Sequence, residues 1–561
     1  MTTSSDIWVP ETPAELGLDP DRFPEWRENQ REVVHDIAEA FQSYDTVLVD
    51  APTGSGKTVI GAAVARVLAG TAVYLAHTLI LQRQQLRTLP NAVTVTGRRN
   101  HACIQPTGAA FGLTAEDANC PCEFARPGGC GYYSQWFDAL EAQDVVLNYA
   151  YIVRVIKAGG LKVAPGYGTV TEDVIENPFK GRRLMVCDEG HNLEKALLDA
   201  DTVEVSQASF ARYGYAIPRS LDFRDWVAWA NELAPVVSNL INQHAKVDSD
   251  AGAVEASLTI THIRERKSLK SLLVTLANIQ DLPKRAAHTP FHVGRTPGGY
   301  QLRPLWAWDR AQHLLFQHAP NAMVMSATLG TPKFQAKLLG LDNWAHIKIP
   351  STFPIQNRPV YYWPVSRMKY NMEESEKVKQ AVALIHLANK FPDSPGLVHC
   401  NSYPLGRFLV DVVRRYSPEV AARLLTHDSA TREATFETFE KHEGLDNAIL
   451  VTPAASTGVD WDFVGWQMIP KIPFPDLSDD ITRLRYDYVT DDGEAIGKEA
   501  YTQEAVKTLV QEAGRNVRTP TSRGVTVITD SAFWPLFKYT AADAFPDWFR
   551  PAVSWYEPKG A

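Results

Sequence analysis

Short apolar runs alternate with helix-length amphipathic stretches along this chain. Thr46–Asp50, Val73–Ala76, Val145–Leu147, Leu184–Cys187 and Met323–Met325 are rich in aliphatic and β-branched residues and lack polar alternation. Strands buried on both faces of a parallel sheet have that composition. Between the runs, Phe23–Phe41 predicts an amphipathic helix, and a helical stretch to Leu68 follows the first strand. The alternation predicts an α/β core. After Thr331-Pro332 the pattern begins again, with strands predicted at Gly396–His399, Ala448–Val451 and Val525–Ile528. This places a first α/β domain over 21–330 and a second over 331–561. Residues 1–20, polar and carrying Pro10, Pro13 and Pro20, read as a loose lead-in.

Two segments interrupt the first domain. Residues 98–145 contain four of the chain's six cysteines. Residues 205–300 are helix-rich, with helices predicted at Leu233–Leu240 and His262–Ile279. The second half of that segment is basic: Arg264, Arg266, Lys267, Lys270, Lys284 and Arg285 stand against Glu265 and Asp281. It reads either as a surface that closes over a polyanion or as a solvated face. No tandem repeat or low-complexity tract is evident.

A length of 561 residues allows several domains, and 45% hydrophobic with 22% charged residues is ordinary for globular protein. The net charge of −9 argues against a basic coat over the whole surface. It leaves room for a local basic groove, because polyanions follow the local field. No apolar run reaches the roughly 18 residues of a membrane span. The best candidate, Val59–Leu68, is broken by Arg66. The first basic residue, Arg22, follows Asp6, Glu11 and Glu15, which is not a signal-peptide pattern. A cytoplasmic, reducing location without a membrane partner is the expectation. There, clustered cysteines serve as metal ligands more often than as disulfides.

The strand Thr46–Asp50 runs into Ala51-Pro52-Thr53-Gly54-Ser55-Gly56-Lys57-Thr58. Apart from Ala51 in place of the first glycine, this is a phosphate-binding loop. Its glycines let backbone N–H groups surround phosphate oxygens; Lys57 adds a positive charge, and the Thr58 hydroxyl can ligate Mg2+. Asp188-Glu189-Gly190-His191 follows another buried strand. Asp188 is assigned to Mg2+, and Glu189 to the base that orients and deprotonates the attacking water. Ser326-Ala327-Thr328 closes a third strand, where small hydroxyl residues can relay the nucleotide state, although three such residues on their own signify nothing. In the second α/β half, Gln511-Glu512-Ala513-Gly514-Arg515-Asn516-Val517-Arg518 spaces two arginines on one helical face. Arg515 and Arg518 can then meet a γ-phosphate from across a cleft; alternatively they belong to a solvated face.

In this order the motifs resemble those of superfamily 2 helicases of the XPD/DinG-like iron–sulfur branch, over roughly residues 23–530. Arg27-Glu28-Asn29-Gln30 resembles the adenine-sensing motif. Tyr74 to Gln84, with Thr78 and Gln82, resembles the first DNA-contacting motif. Asn148–Tyr151 is similar to the segment after the cluster, and Asp188–Asn192 reads DEGHN where the family has DEAHN. Phe353-Pro354, Asn357-Arg358, Asn401-Ser402-Tyr403, Gly458-Val459-Asp460 and Pro473-Phe474-Pro475 resemble later motifs. The resemblance implies two RecA-like motor domains, with a cluster domain (98–145) and a helical arch (205–300) inserted in the first. It implies ATP and Mg2+ held by Arg27, Gln30, Thr53, Gly54, Ser55, Gly56, Lys57, Thr58, Asp188, Gly458 and Asp460. Catalysis would rest on Lys57, Glu189, Gln511, Arg515 and Arg518, and DNA contacts on Thr78, Gln82, Arg98, Arg99, Ser402 and Tyr403. The implied activity is ATP-driven 5′→3′ movement of a monomer along single-stranded DNA or a forked duplex with a 5′ overhang.

A [4Fe–4S] cluster needs four thiolates, which Cys103, Cys120, Cys122 and Cys130 can supply unless the site is lost in this chain. Zinc is the rival, since tetrahedral thiolate sites also suit it. Their spacing, C-x16-C-x-C-x7-C, sets the middle pair closer than the family does. Gly131 follows Cys130 where the family has proline, and Ser522 stands where an aspartate is common. Cys187 and Cys400 sit in predicted strands and read as core residues. Tyr132, Tyr133, Trp136 and Phe137 can stack on bases, although packing of the small domain is the favoured role for Trp136 and Phe137. Two other readings remain: a non-motor DNA-binding or assembly subunit, and a redox-responsive switch.

Overall fold

The computed structural model describes residues 7–89, 91–104, 109–110, 112–117, 129–157, 181–250, 256–287, 289–308, 310–369, 371–441, 446–453, 461, 463–517 and 519–557; side chains of 244–250 and 256–263 are outside the description. Two seven-stranded sheets, parallel throughout, form the body of the protein. The first is built from β1 (Thr46–Asp50), β2 (Ala72–Ala76), β3 (Val93–Thr94), β4 (Asp144–Asn148), β5 (Leu184–Asp188), β9 (Asn321–Ser326) and β10 (Trp344–Lys348). Their order is β10-β1-β9-β5-β2-β4-β3. Strand β9, late in sequence, lies between β1 and β5. It therefore brings Ser326 between the phosphate loop and Asp188.

Alternate residues of these strands feed two separate cores, which is why the runs are apolar on both faces. Val47, Val49, Tyr74, Val186 and Met323 join the helices Gln30–Ala40 and Lys57–Val67 on one side. Leu48, Val73, Leu75, Leu147 and Val324 join the helices Gly131–Glu141 and Tyr149–Lys157 on the other. The helix expected from Phe23 begins only at Gln30, after Asn29 turns the chain at φ 65°. From residue 7 onward the lead-in is packed and not loose: Val9 and Leu18 are buried with Val33 and Val34, and Trp26 Nε1 donates to Pro10 O at 3.0 Å.

The second sheet has the order β13-β14-β12-β15-β16-β11-β17. Its strands are β11 (Val360–Ser366), β12 (Gly396–His399), β13 (Leu424–Thr426), β14 (Ile449–Thr452), β15 (Trp466–Ile469), β16 (Val525–Asp530) and β17 (Val553–Trp555). Helices Glu374–Lys390 and Tyr403–Tyr416 cover one face, and Ile496–Ala513 the other. Residues after 530 complete this domain: β17 pairs with β11, and Phe533, Leu536, Phe545 and Phe549 pack beside Val506 and Leu509.

The segment expected to be helical over 205–300 differs in one respect. Its helices Phe223–Asp250 and Ala256–Gln280 pack together, but on an antiparallel sheet of β6 (Val203–Ser206), β8 (Gly299–Pro304) and β7 (Phe291–Thr296). Trp226, Leu272 and Ile279 fill the space between helices and sheet. The strands escape an apolar-run search because they are half-solvated. β8 alternates buried and partly exposed positions. Among the described residues no helix is long and apolar enough to cross a membrane.

Candidate active site between the two motor sheets

The phosphate loop leaves β1 with Ala51 N donating to Ser326 O at 2.8 Å. It turns through Gly54 (φ 83°) and Gly56 (φ 79°) into the helix at Lys57. A side chain at Gly54 would collide with Phe353, whose ring lies 2.3 Å from the position a Cβ would take. Phe353, in the connection between the two sheets, thus rests directly on the loop. Arg27 and Gln30, of the adenine-sensing motif, brace the loop. Gln30 Nε2 donates to Ser55 O at 2.8 Å, Gln30 Oε1 accepts from Arg27 N at 2.9 Å, and Arg27 Nη1 donates to Gly54 O at 2.7 Å. Thr53, Ser55 and Thr58 line the half-buried loop around them. A narrow cleft bounded by Pro52, Thr53, Phe353, Arg358, Gly514 and Val517 opens beside it, between the sheets. A larger cavity of about 820 Å3 lies at the opposite ends of β1 and β9 and shares none of these groups.

At the end of β5, Asp188 is buried, and each of its carboxylate oxygens accepts one hydrogen bond from protein. Oδ1 accepts from Glu189 N at 2.9 Å, Oδ2 from Gln85 Nε2 at 3.0 Å, and the backbone carbonyl from Tyr149 OH at 2.8 Å. Burial pushes the Asp188 carboxyl up, and Lys57 opposes the shift. A carboxylate oxygen has two acceptor sites, so each retains one for a metal-bound water. With the Thr58 hydroxyl this is the hard-oxygen donor set that Mg2+ takes. Glu189, held in the left-handed region at φ 50°, lies against the phosphate-loop lysine, with Lys57 Nζ 2.9 Å from its Oε1.

His191 ties these groups together. Its Nδ1 is 2.7 Å from Ser326 Oγ and 3.3 Å from Glu189 Oε2. Its Nε2 accepts from Gln511 Nε2 and Asn192 Nδ2, each at 2.8 Å, which places the ring proton on Nδ1. Burial lowers the imidazole to about 4, so it is neutral near pH 7. Gln511, from the helix Ile496–Ala513 of the second sheet, also donates to Thr328 Oγ1 at 3.2 Å, and Lys507 Nζ donates to His191 O at 3.3 Å. One turn beyond Gln511, Arg515 is buried beside Glu512, whose carboxyl is pushed well up by burial and held back by that guanidinium. Arg518, Gly458 and Asp460 lie outside the described residues. A second clasp joins the motors farther out: Arg485 Nη2 donates to both carboxylate oxygens of Glu194 (2.8 and 3.0 Å), with its guanidinium 4.3 Å from the Trp306 ring centre.

The residues expected at DNA divide into two groups. Thr78 and Ser402 occupy equivalent places, one per sheet. Thr78 Oγ1 caps the helix Leu79–Thr88, and Ser402 Oγ caps Tyr403–Tyr416. Each presents an exposed helix N-terminus, a ready site for a phosphate. Tyr403 is half-exposed and meets His427 edge-on. Gln82 instead turns inward: it is buried, and its Nε2 donates to Thr94 Oγ1 and Val146 O. Arg98 donates to Tyr133 OH at 3.0 Å and lies over the Tyr132 and Tyr133 rings, while exposed Arg99 pairs with Glu116 at 2.7 Å. Tyr132, Tyr133, Trp136 and Phe137 are buried in the first motor's core, so they pack and do not stack on bases.

Of the four clustered cysteines, Cys103 and Cys130 are described; both thiols are free and buried. They flank the place where His101 approaches Gly131. Cys130 packs within the first motor's core, and two buried thiols alone are as ordinary in a core as at a metal. Cys120 and Cys122 lie outside the described residues. Cys187 and Cys400 are buried core residues, as expected.

The sequence families agree with this geometry. The helicase C-terminal domain model matches residues 384–552, and that of the type III restriction enzyme res subunit matches 23–211. No curated protein sequence matches the chain. Among solved structures, an XPD helicase superposes over 91% of this chain and 97% of its own, with TM-score 0.57 at 17% identity. The fold is that of an XPD-type helicase. A second XPD-type protein, Xpd4 of S. tokodaii, covers 95% of this chain and 100% of its own, with TM-score 0.54 at 16% identity. The two partial family matches and the fold agree on a helicase-like pair of parallel α/β domains. Three contributors to this site were not assigned from sequence: Gln85, Arg485 and the linking role of His191. Gln85 left one signal, its position three after Gln82 on the same helix face.

Proposed function

We propose that the protein is an ATP-dependent DNA helicase that translocates 5′ to 3′ along single-stranded DNA, acting as a monomer on forked duplexes with a 5′ overhang. The observation that carries the motor reading is the continuous chain Lys57–Glu189–His191–Gln511, which spans both sheets through side chains alone.

Lys57 and the backbone of the phosphate loop take the β- and γ-phosphates of ATP. Thr58 and Asp188 would hold Mg2+, which would supply charge neutralisation at those phosphates. A triphosphate competes with Glu189 for Lys57. Released, Glu189 faces the attacking water and accepts its proton, with neutral His191 keeping the carboxylate oriented. Arg515 and Arg518 offset charge from the second motor, and Gln511 reports cleft closure to His191. Opening and closing of the cleft shifts Thr78 against Ser402, and with them the phosphates they hold.

Cys103, Cys120, Cys122 and Cys130 would hold a [4Fe–4S] cluster, which gives the inserted domain a rigid core as a strand guide or wedge; zinc would serve the same structural end. Strand separation on 5′-tailed and 3′-tailed duplexes tests the direction. Unwinding of the 3′-tailed substrate alone would overturn it. DNA binding without ATP turnover would instead mark a non-motor subunit.

A further inference from the structure

Gln85 occupies an unusual position for a residue outside every motif already assigned. It is 3% exposed, lies on the helix capped by Thr78, and gives its amide N–H to Asp188 Oδ2 at 3.0 Å. Its Oε1 is buried without a hydrogen-bond partner among the described residues. One turn earlier Gln82 fixes the same helix to the backbone of β4 at Val146. The start of the helix faces solvent, with Leu79 and Ile80 54% and 67% exposed beside Thr78. Thr78 and Gln85 are thus two ends of one rigid rod, about 10 Å apart at 1.5 Å per residue. One end is open to a nucleic-acid strand, and the other touches the carboxylate assigned to Mg2+.

We propose that Gln85 is the positioning residue through which a strand bound at the Thr78 end of this helix sets the orientation of Asp188. The proposal rests on the helicase reading and names the route by which that reading's two sites communicate. A shift or rotation of the helix on strand binding moves the Gln85 amide, and the shared hydrogen bond carries the movement to Asp188 Oδ2. Orientation of a ligating carboxylate by a hydrogen-bonded neighbour governs metal affinity. By linkage, a strand that tightens Mg2+ must itself be bound more tightly when Mg2+ and nucleotide are present.

Two measurements on the full chain test this. In the wild-type protein, binding of a fluorescent ADP analogue is titrated with Mg2+, with and without a thymidine oligonucleotide. The oligonucleotide should lower the Mg2+ concentration for half-maximal binding; an unchanged midpoint overturns the proposal without recourse to a variant. In Gln85→Met, which keeps the side chain's length and removes the amide, the Mg2+ midpoint should rise about tenfold. The oligonucleotide should no longer move it, while oligonucleotide affinity without nucleotide stays at the wild-type value. A variant with wild-type Mg2+ midpoint and wild-type coupling overturns the role of Gln85. Failure of the oligonucleotide to stimulate ATP turnover in the wild-type protein would count against the helicase reading instead, a separate outcome.

Discussion

Gln511 Nε2 and His191 Nε2 lie 2.8 Å apart, a side-chain hydrogen bond between the second motor's helix and the strand-end turn of the first. It is made by a neutral imidazole with its proton on Nδ1, turned toward Ser326 and Glu189. Gln511→Ala should therefore lower kcat about five- to tenfold, the effect of about 1 kcal/mol in the transition state. KM for ATP should stay within about twofold, because Gln511 touches neither the phosphate loop nor its braces. Steady-state kinetics with saturating single-stranded DNA measures both.

Glu189→Gln should retain nucleotide binding and lose turnover by at least about 100-fold, the usual worth of a positioned base. The substitution also removes the charge that holds Lys57, so ADP should bind at least as tightly as to the wild type. Lys57→Ala, in contrast, should lose nucleotide affinity. Equilibrium binding of a fluorescent nucleotide separates the two variants.

Acid should destabilise both motors through buried histidines. His191 and His399 are each lowered to about 4 by burial. Between pH 6.5 and about 4 the unfolded chain binds these protons and the folded chain does not. Stability is then full above pH 6.5 and falls as the pH drops toward 4, by up to roughly 3 kcal/mol per histidine. Thermal melting across that range should show the decline, and His399→Gln should make it shallower.

The Arg485 clasp predicts how firmly the motors adhere. Its partners Glu194 and Trp306 belong to the first motor, and all three are largely buried. Arg485→Ala should remove about 2 kcal/mol of cross-domain adhesion, a charged hydrogen-bonded pair plus a cation–π contact. The expected sign is a thermal transition that broadens or splits in two; a single unchanged transition would show that the clasp carries no adhesion.

Metal content decides what the cysteines hold. Protein purified without oxygen should carry about four irons and absorb broadly in the visible, as a cubane cluster does. Cys103→Ser should lose both together. One zinc and no colour would assign the thiolates to zinc and leave the motor reading intact.

Much of the motor was legible in sequence because its strands are buried on both faces. Val47 and Leu48 must both be apolar when each faces its own core, and such runs stand out. The half-solvated strands of the small antiparallel sheet did not, since Tyr300 and Leu302 alternate with Gln301 and Arg303. Phosphate-loop and strand-end motifs were readable because their chemistry is local. Gln85 and Arg485 act on partners 103 and 291 positions away, and only folding brings those pairs together. Gln82 and Arg98 show the reverse limit. Their residue types suit DNA, but one is folded inward and the other is held by Tyr133.

The most direct test of the motor assignment is ATP turnover by the purified protein with and without single-stranded DNA. The cross-cleft chain from Lys57 to Gln511 predicts turnover that is slow alone and rises at least about tenfold when DNA is added. Equal turnover in the two conditions would contradict it.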